Sequence, residues 1–456
     1  MTNQTDAPAL DRLRQFEHDH RPPARPERPP GSPGVQMATS IVLPGLPTIR
    51  RVPLLGVLLF AVGVAVPIVL AAWVFARRDD IVALALEPRF LTAVTAVGCA
   101  IVLTRLLAIA EVAHAFRRTS GIAGRTIVAT LIVLAMAVPV LLLSMRANQA
   151  RTMVASVFGD GGPSLYVPQQ QAVDPASVTN ILLLGGDAGP GRWGLRTDTM
   201  ILVSINDATG RTALVSIPRN LTRLQFPPGT PLAAEYPDGF ADLANAVFPH
   251  VSTDPELLEY YGKDGRQPEA VALSEAIGYS LDVEIDDYAL VNMQGFADMI
   301  DAVGGVTLEL SENVPLPPSI PGERELPSSI GPGQVEMDGA TAIAYARSRS
   351  ADSDYQRMER QRRLLAALGD QVSAREAISG FGGVAGVLED SVRTSLSASE
   401  FASLLDRLGD NAAVGESVGL VPPLIEPGNP DYAQIRTIID AVESYVVTGE
   451  PSGYAA

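Results

Sequence analysis

The stretch "ILLLGGDAGPGRWGLRTDTMILVSI" (Ile181–Ile205) decides how the fold is read. Two apolar runs rich in Leu, Ile and Val flank a glycine-rich turn, the pattern of two strands. A plain hairpin needs no charge, yet this turn carries Asp187, Arg192, Arg196 and Asp198. Working outward, "TALVSIP" follows the hairpin turn "DATG", and "GVTLEL" and "SVGLVPP" supply further strands. In "YALVNMQGFADMIDAVGG" the residues Phe296, Met299, Ile300 and Val303 recur at helical spacing and Gly304 ends the helix. Helices are also expected over "DGATAIAYA", starting near Asp338, and over "SDYQRMERQRRLLAALGDQV", "ASEFASLLDRLGD" and "AQIRTIIDAVESYVV". This mixture of strands and helices predicts an α/β domain over residues 178–456, with no internal repeat.

Upstream the chain changes character. Three apolar segments, Val52–Ala76, Phe90–Ala110 and Thr126–Met145, are each long enough to cross a bilayer, which takes about 20 residues. Pro67 and Pro139 are tolerated in such helices. Arginines at 12, 14, 21, 25, 28, 50 and 51, and again at 117, 118 and 125, place the N-terminus and the second loop in the cytoplasm. Arg77, Arg78 and Arg89 in the first loop oppose this, partly offset by Asp79, Asp80 and Glu87. The expected organisation is a Pro/Arg-rich disordered cytoplasmic tail over 1–51, three transmembrane helices over 52–145, a stalk over 146–177 and an extracytoplasmic domain over 178–456.

Composition excludes several functions. The net charge of −17 over 456 residues argues against nucleic-acid binding. The one cysteine, Cys99, lies in a predicted span, so the outer domain has no disulfide and no cysteine metal site. "GPGRWG" (Gly189–Gly194) has dinucleotide-loop spacing but precedes a strand where a helix is required. "GESVG" (Gly415–Gly419) lacks the helix that a nucleophile elbow needs after its serine. His250 is the only histidine beyond the spans, too few for zinc hydrolysis. Lys263 is the only lysine, so arginine at any one position is weak evidence of selection for guanidinium.

Four segments share another chemistry. The opening turn gives Asp187, Arg196 and Asp198; "SIPRN" gives Arg219 at a strand end; "AYARSRS" gives Arg347 and Arg349; "SDYQRMERQ" gives Asp354, Arg357, Arg360 and Gln361. In extended chain Arg347 and Arg349 would point to one side. Arg357, Arg360 and Gln361 share a helix face. Arg362 and Arg363 read as a solvated face, and Arg192 as a surface residue. Converging arginines require an anion, and guanidinium forks suit phosphate oxygens. Two carboxylates beside them suit Mg²⁺, which bridges phosphates.

These blocks, with "GFADMIDAVGGV" and "MDGATAIAYARSRSADSDYQRMERQRRLL", resemble the LytR-CpsA-Psr family of membrane-anchored cell-wall enzymes. The arginine-rich composition hints at an actinobacterial source. The resemblance implies a central mixed sheet with helices around it and a cavity for a polyprenyl chain. It implies transfer of a glycopolymer from a polyprenyl-pyrophosphate carrier to a cell-wall acceptor, usually peptidoglycan, at the plasma membrane. By the same resemblance, Asp187 and Asp198 bind Mg²⁺, with Mn²⁺ as the alternative, and Arg196, Arg219, Arg347 and Arg349 hold the pyrophosphate. Arg357, Arg360 and Gln361 bind or support it, and Arg196, Asp198 and Arg219 form the catalytic set. One departure is Asn220, where the family usually has Asp. The rival functions are hydrolysis of the carrier pyrophosphate by water and non-catalytic binding of lipid-linked glycan.

Overall fold

The computed structural model describes residues 42–43, 46–49, 52–77, 84, 87–115, 122–168, 178–186, 197–317, 325–348, 354–371, 391–408 and 414–455. The chain divides into two compact units, Met1–Ala76 with Thr95–Ser144 and Arg77–Val94 with Met145–Ala456.

The first unit is helical. Helix α1 (Pro53–Ala76) contains a π-turn at Ala61–Ala65, and the unit also takes residues 95–115 of α2 (Pro88–Ala115) and 122–144 of α3 (Ile122–Val157), the remaining residues of both helices belonging to the second unit. Pro53–Ala76 and Pro88–Leu107 are long and apolar enough to cross a membrane by length and composition. The third predicted span lies wholly within α3, which carries Pro139 in its interior. Gly98 lies against Ser144, so these two small residues let α2 and α3 approach closely.

The second unit is built on a six-stranded mixed sheet. Its strands are β1 (Val178–Gly186), β2 (Thr197–Asn206), β3 (Thr212–Ser216), β4 (Asp287–Asn292), β7 (Val392–Thr394) and β8 (Val414–Gly419). They lie in the order β8-β3-β2-β1-β4-β7. The β1–β4 and β3–β8 pairs are parallel and the rest antiparallel. The expected "GVTLEL" strand forms as β5 (Val306–Leu310), but it pairs with β6 (Gly333–Met337) in a separate two-stranded ribbon.

Alternation along β1 separates the layers. Leu182 and Leu184 belong to the main core with residues of α5 (Pro268–Leu281) and α10 (Tyr432–Thr448), as do those of the shorter α4 (Val247–Thr253). Ile181 packs on the opposite side with Leu396 and Leu404, the latter from α9 (Ala398–Leu408). That side also carries α6 (Met293–Ala302), α7 (Gly339–Arg347) and α8 (Asp354–Gln371), whose Phe296, Ile343 and Leu364 border one space with Leu183 of β1. Asn292 ends β4 and caps α6 by accepting from the Gly295 N–H at 2.8 Å. Asp338 caps α7 through the Thr341 N–H at 2.9 Å, where the sequence placed that helix start.

Candidate functional site

A cavity of about 710 Å³ opens where the parallel neighbours β1 and β4 end, the position at which open α/β sheets bind ligands. Leu183, Val291, Phe296, Met299, Ile343 and Leu364 are among its apolar walls. Asp198, Arg219, Arg347, Arg357 and Gln361 supply its charged and amide groups. The cavity is therefore largely hydrocarbon with one cationic region, a shape for a ligand with an apolar tail and an anionic head.

The strand that delivers Asp198 is irregular. Gly185 pairs with Thr199 and Gly186 with Thr197, so Asp198 is the extra residue of a β-bulge. Consecutive strand residues ordinarily face opposite sides, but a bulge re-aims one of them. Asp198 and Thr199 thus both line the cavity. Gly185 is required here, because a Cβ on it would stand 2.7 Å from the Thr199 Cβ.

The polar groups form a chain of ion pairs. Arg219, in the turn after β3, donates from Nη1 to Asp198 Oδ1 at 2.8 Å and from Nε to Asp354 Oδ2 at 3.0 Å. Arg357 donates from Nε to Asp354 Oδ1 at 3.1 Å and from Nη2 to the Asp198 carbonyl at 3.2 Å. Asn245 donates from Nδ2 to Asp198 Oδ1 at 3.2 Å. Burial pushes the Asp354 carboxyl up, but the hydrogen bonds and charges of Arg357 and Arg219 outweigh this and hold it below its ordinary value. Burial would lower Arg219, yet Asp198 and Asp354 raise it above the usual guanidinium range.

Asp198, Arg219, Arg347, Arg357 and Gln361 come together at the cavity. Arg360, on the same helix, is buried and donates to the Ser348 carbonyl. Asp187, Arg192, Arg196 and Arg349 lie outside the described residues. Arg347 closes α7 instead of standing in extended chain. Arg362 corrects the solvated-face reading: it is 4% exposed and donates to the hydroxyls of Ser216 and Ser417. Ser417 sits within β8, in keeping with the rejection of a nucleophile elbow. Asn220 is not among the residues lining the cavity, and its Oδ1 is buried with no hydrogen-bond partner among the described residues. Arg219 is oriented instead by Asp198 and Asp354.

Among the described residues Asp198 is the only acidic one lining the cavity, and no group of three His, Cys, Asp or Glu is arranged to hold a metal ion. One cavity-facing carboxylate fits a Mg²⁺ that takes its remaining ligands from phosphates and water. Sequence reasoning missed Asn245, which lies inside the apolar run "LANAVF" and belongs to no charged motif. It also missed Asn292, whose strand-end position lines the cavity while capping α6.

Comparison with known proteins places these observations. The polyisoprenyl-teichoic acid–peptidoglycan teichoic acid transferase TagU of Oceanobacillus iheyensis is 30% identical over 256 residues, covering 56% of this chain and 70% of that protein. The probable cell wall biosynthesis protein LcpB of Corynebacterium glutamicum is 35% identical over 218 residues, covering 48% of this chain and 43% of that protein. The crystal structure of B. subtilis TagV is similar with a TM-score of 0.43 at 22% identity, covering 59% of this chain and 97% of that one. The LytR_cpsA_psr family model matches residues 164–417, more than half of the sequence, and the chain belongs to that family.

Proposed function

We propose that this chain is a membrane-anchored phosphotransferase that moves a glycopolymer from a polyprenyl-pyrophosphate carrier to a cell-wall acceptor such as peptidoglycan. The observation that carries the reading is the cavity, whose apolar walls end at Asp198, Arg219, Arg347 and Arg357. An isoprenoid tail suits the walls and a pyrophosphate suits the arginines. The relative TagU, named as a teichoic acid transferase acting on peptidoglycan, supports the same class of substrates. Three N-terminal spans would hold the domain outside the plasma membrane and beside a lipid-borne substrate, raising its effective concentration.

In the proposed reaction an acceptor hydroxyl oxygen attacks the phosphorus that bears the glycan. A new phosphodiester bond forms and the bond to the bridging oxygen breaks. Polyprenyl phosphate leaves and the hydroxyl proton passes to solvent or a base. Arg219 and Arg347 hold the non-bridging oxygens as charge builds on them. Arg357 keeps Asp354 in place, and Asp354 keeps the two guanidinium groups from repelling each other. Asp354 is a poor proton acceptor, because both of its oxygens are engaged by arginines and its carboxyl is held low. Asp198, with Asp187, would hold Mg²⁺ or Mn²⁺, which when bound neutralises pyrophosphate charge.

The test is incubation of the full chain in detergent with a short polyprenyl-pyrophosphate glycan, Mg²⁺ and a peptidoglycan oligomer. Coupled glycan and polyprenyl phosphate are expected, both lost in Arg219→Ala. Polyprenyl phosphate without coupled glycan would replace transfer by hydrolysis. Carrier binding without turnover would replace catalysis by binding alone.

A further inference from the structure

Asn245 stands outside every charged motif yet touches two members of the site. It occupies a single 3₁₀ turn, Ala244–Ala246, just before α4. Its side chain donates to Asp198 Oδ1 at 3.2 Å, and its backbone N–H donates to the Arg219 carbonyl at 3.2 Å. Arg219 Nη1 reaches the same Asp198 oxygen at 2.8 Å. Three hydrogen bonds therefore close a ring through Asp198, Arg219 and Asn245, joining the bulge of β2, the turn after β3 and the entry to α4. The neighbouring residue repeats the link, with the Ala244 N–H donating to the Leu221 carbonyl at 2.8 Å.

The energetics of this residue are unusual for a packing element. Asn245 is 2% exposed, and its Oδ1 has no hydrogen-bond partner among the described residues. A buried amide oxygen without a partner costs stability. What the amide gains is a charge-assisted bond to Asp198, which fixes a carboxylate that also receives Arg219.

We infer that Asn245 is a positioning residue, setting the orientation of the Asp198–Arg219 pair that meets the substrate. Its catalytic consequence rests on the function proposed above, whereas its structural consequence does not. Removing the amide leaves Asp198 with one fewer donor and cuts the side-chain link from the entry of α4 to the bulge, so Asp198 and the Arg219 side chain bonded to it are less tightly oriented. The two charges remain in the cavity, so carrier binding persists while the alignment needed for phosphoryl transfer is lost.

The experiment uses the full chain in detergent with the variants Asn245→Ala and Asn245→Asp, the second keeping the shape and replacing the donor by an acceptor. Modification by phenylglyoxal is followed by mass spectrometry at Arg219 and at Arg211, whose guanidinium is held by carbonyls of α10. Several-fold faster modification of Arg219 with Arg211 unchanged is expected in both variants. Turnover of the polyprenyl-pyrophosphate glycan should fall roughly tenfold to a hundredfold, with a smaller change in KM. In an Asp198→Ala background, Asn245→Ala should lower the single-turnover rate by no more than about twofold, because the partner through which it acts is gone. Unchanged Arg219 reactivity, an equal rise at Arg211, or losses that add in the double variant would overturn the inference. A response at Arg219 in a wild-type protein that turns over no carrier would uphold the positioning role and reject the proposed function.

Discussion

Arg219 reaches Asp198 across 2.8 Å although the two lie on different strands' ends, and the contact exists because a bulge carries Asp198 out of the β2 register. The same guanidinium holds Asp354 through its Nε, so one side chain spans two carboxylates in a fixed fork.

A lysine cannot reproduce that fork. Arg219→Lys keeps the charge but offers a single ammonium to Asp198 and Asp354. We expect carrier turnover to drop by about 10²–10³, the range for losing one preorganised charge-stabilising donor. Stability should change by only about 1 kcal/mol, because these groups are partly exposed. Steady-state rates and urea midpoints on the same preparations check both. A lysine variant with more than a tenth of wild-type turnover would show that charge alone suffices.

The apolar walls predict a second separation. Ala344 lines the cavity and is almost fully buried. Ala344→Phe puts an aromatic ring into the space assigned to the isoprenoid tail. Affinity for a long-chain polyprenyl pyrophosphate should fall at least tenfold, the scale of losing several buried methylenes at about 0.8 kcal/mol each. Affinity for inorganic pyrophosphate should stay within about twofold, since no polar group moves. Calorimetry with both ligands reads the difference. Equal losses for the two would place the tail elsewhere.

The sequence exposed the strands whose faces are uniformly apolar. "ILLLGG", "TMILVSIN" and "TALVS" announce β1, β2 and β3, the centre of the sheet. β4 was hidden because "DYALVN" runs into α6 without a turn, Asn292 serving as strand end and helix cap at once. β7 is three residues long and has no periodicity to detect. Charge pattern found Asp198, Arg219, Arg347, Arg357 and Gln361, because clustered arginines are conspicuous. It could not tell that Arg360 turns to a carbonyl or that Arg362 is buried, since a helix face shows its core side only once its neighbours are known. Asn245 left no trace because its contact with Asp198 crosses 47 positions.

Arg362 gives a stability prediction unrelated to the cavity. A Cβ on Gly419 would stand 2.8 Å from the Arg362 Nη1. Gly419→Ala must displace a buried guanidinium from its two serine hydroxyls. We expect a loss of about 1–3 kcal/mol, as for overpacking a filled interior, seen as a lower urea midpoint. An alanine variant with the wild-type midpoint would mean that Arg362 has an alternative place to go.

The C-terminal helix should make stability depend on pH. Burial pushes the Glu443 carboxyl up to about 7. Asn180 Nδ2 donates to its Oε1 at 3.1 Å and opposes the rise. Asp440 on the same helix and Glu284 and Asp286 before β4 add to it. Asp286 is itself raised, first by burial, against hydrogen bonds from the Asn180 N–H and Ser164. In the unfolded chain Glu443 titrates near 4.5. Its folded value is higher, so below about 4.5 both states hold the proton and Glu443 costs the fold nothing. Between about 4.5 and 7 the unfolded chain ionises first, and stability falls as pH rises; above 7 the loss is complete. Glu443→Gln removes this contribution and should stabilise the protein at pH 8 by at most about 3 kcal/mol relative to wild type, with little effect at pH 4.5. Urea midpoints of the full chain in detergent from pH 4.5 to 8 measure the slope. A glutamine variant that keeps the whole wild-type slope would assign it to the neighbouring carboxyls, with Asp287, raised to about 6 by burial, the next to replace.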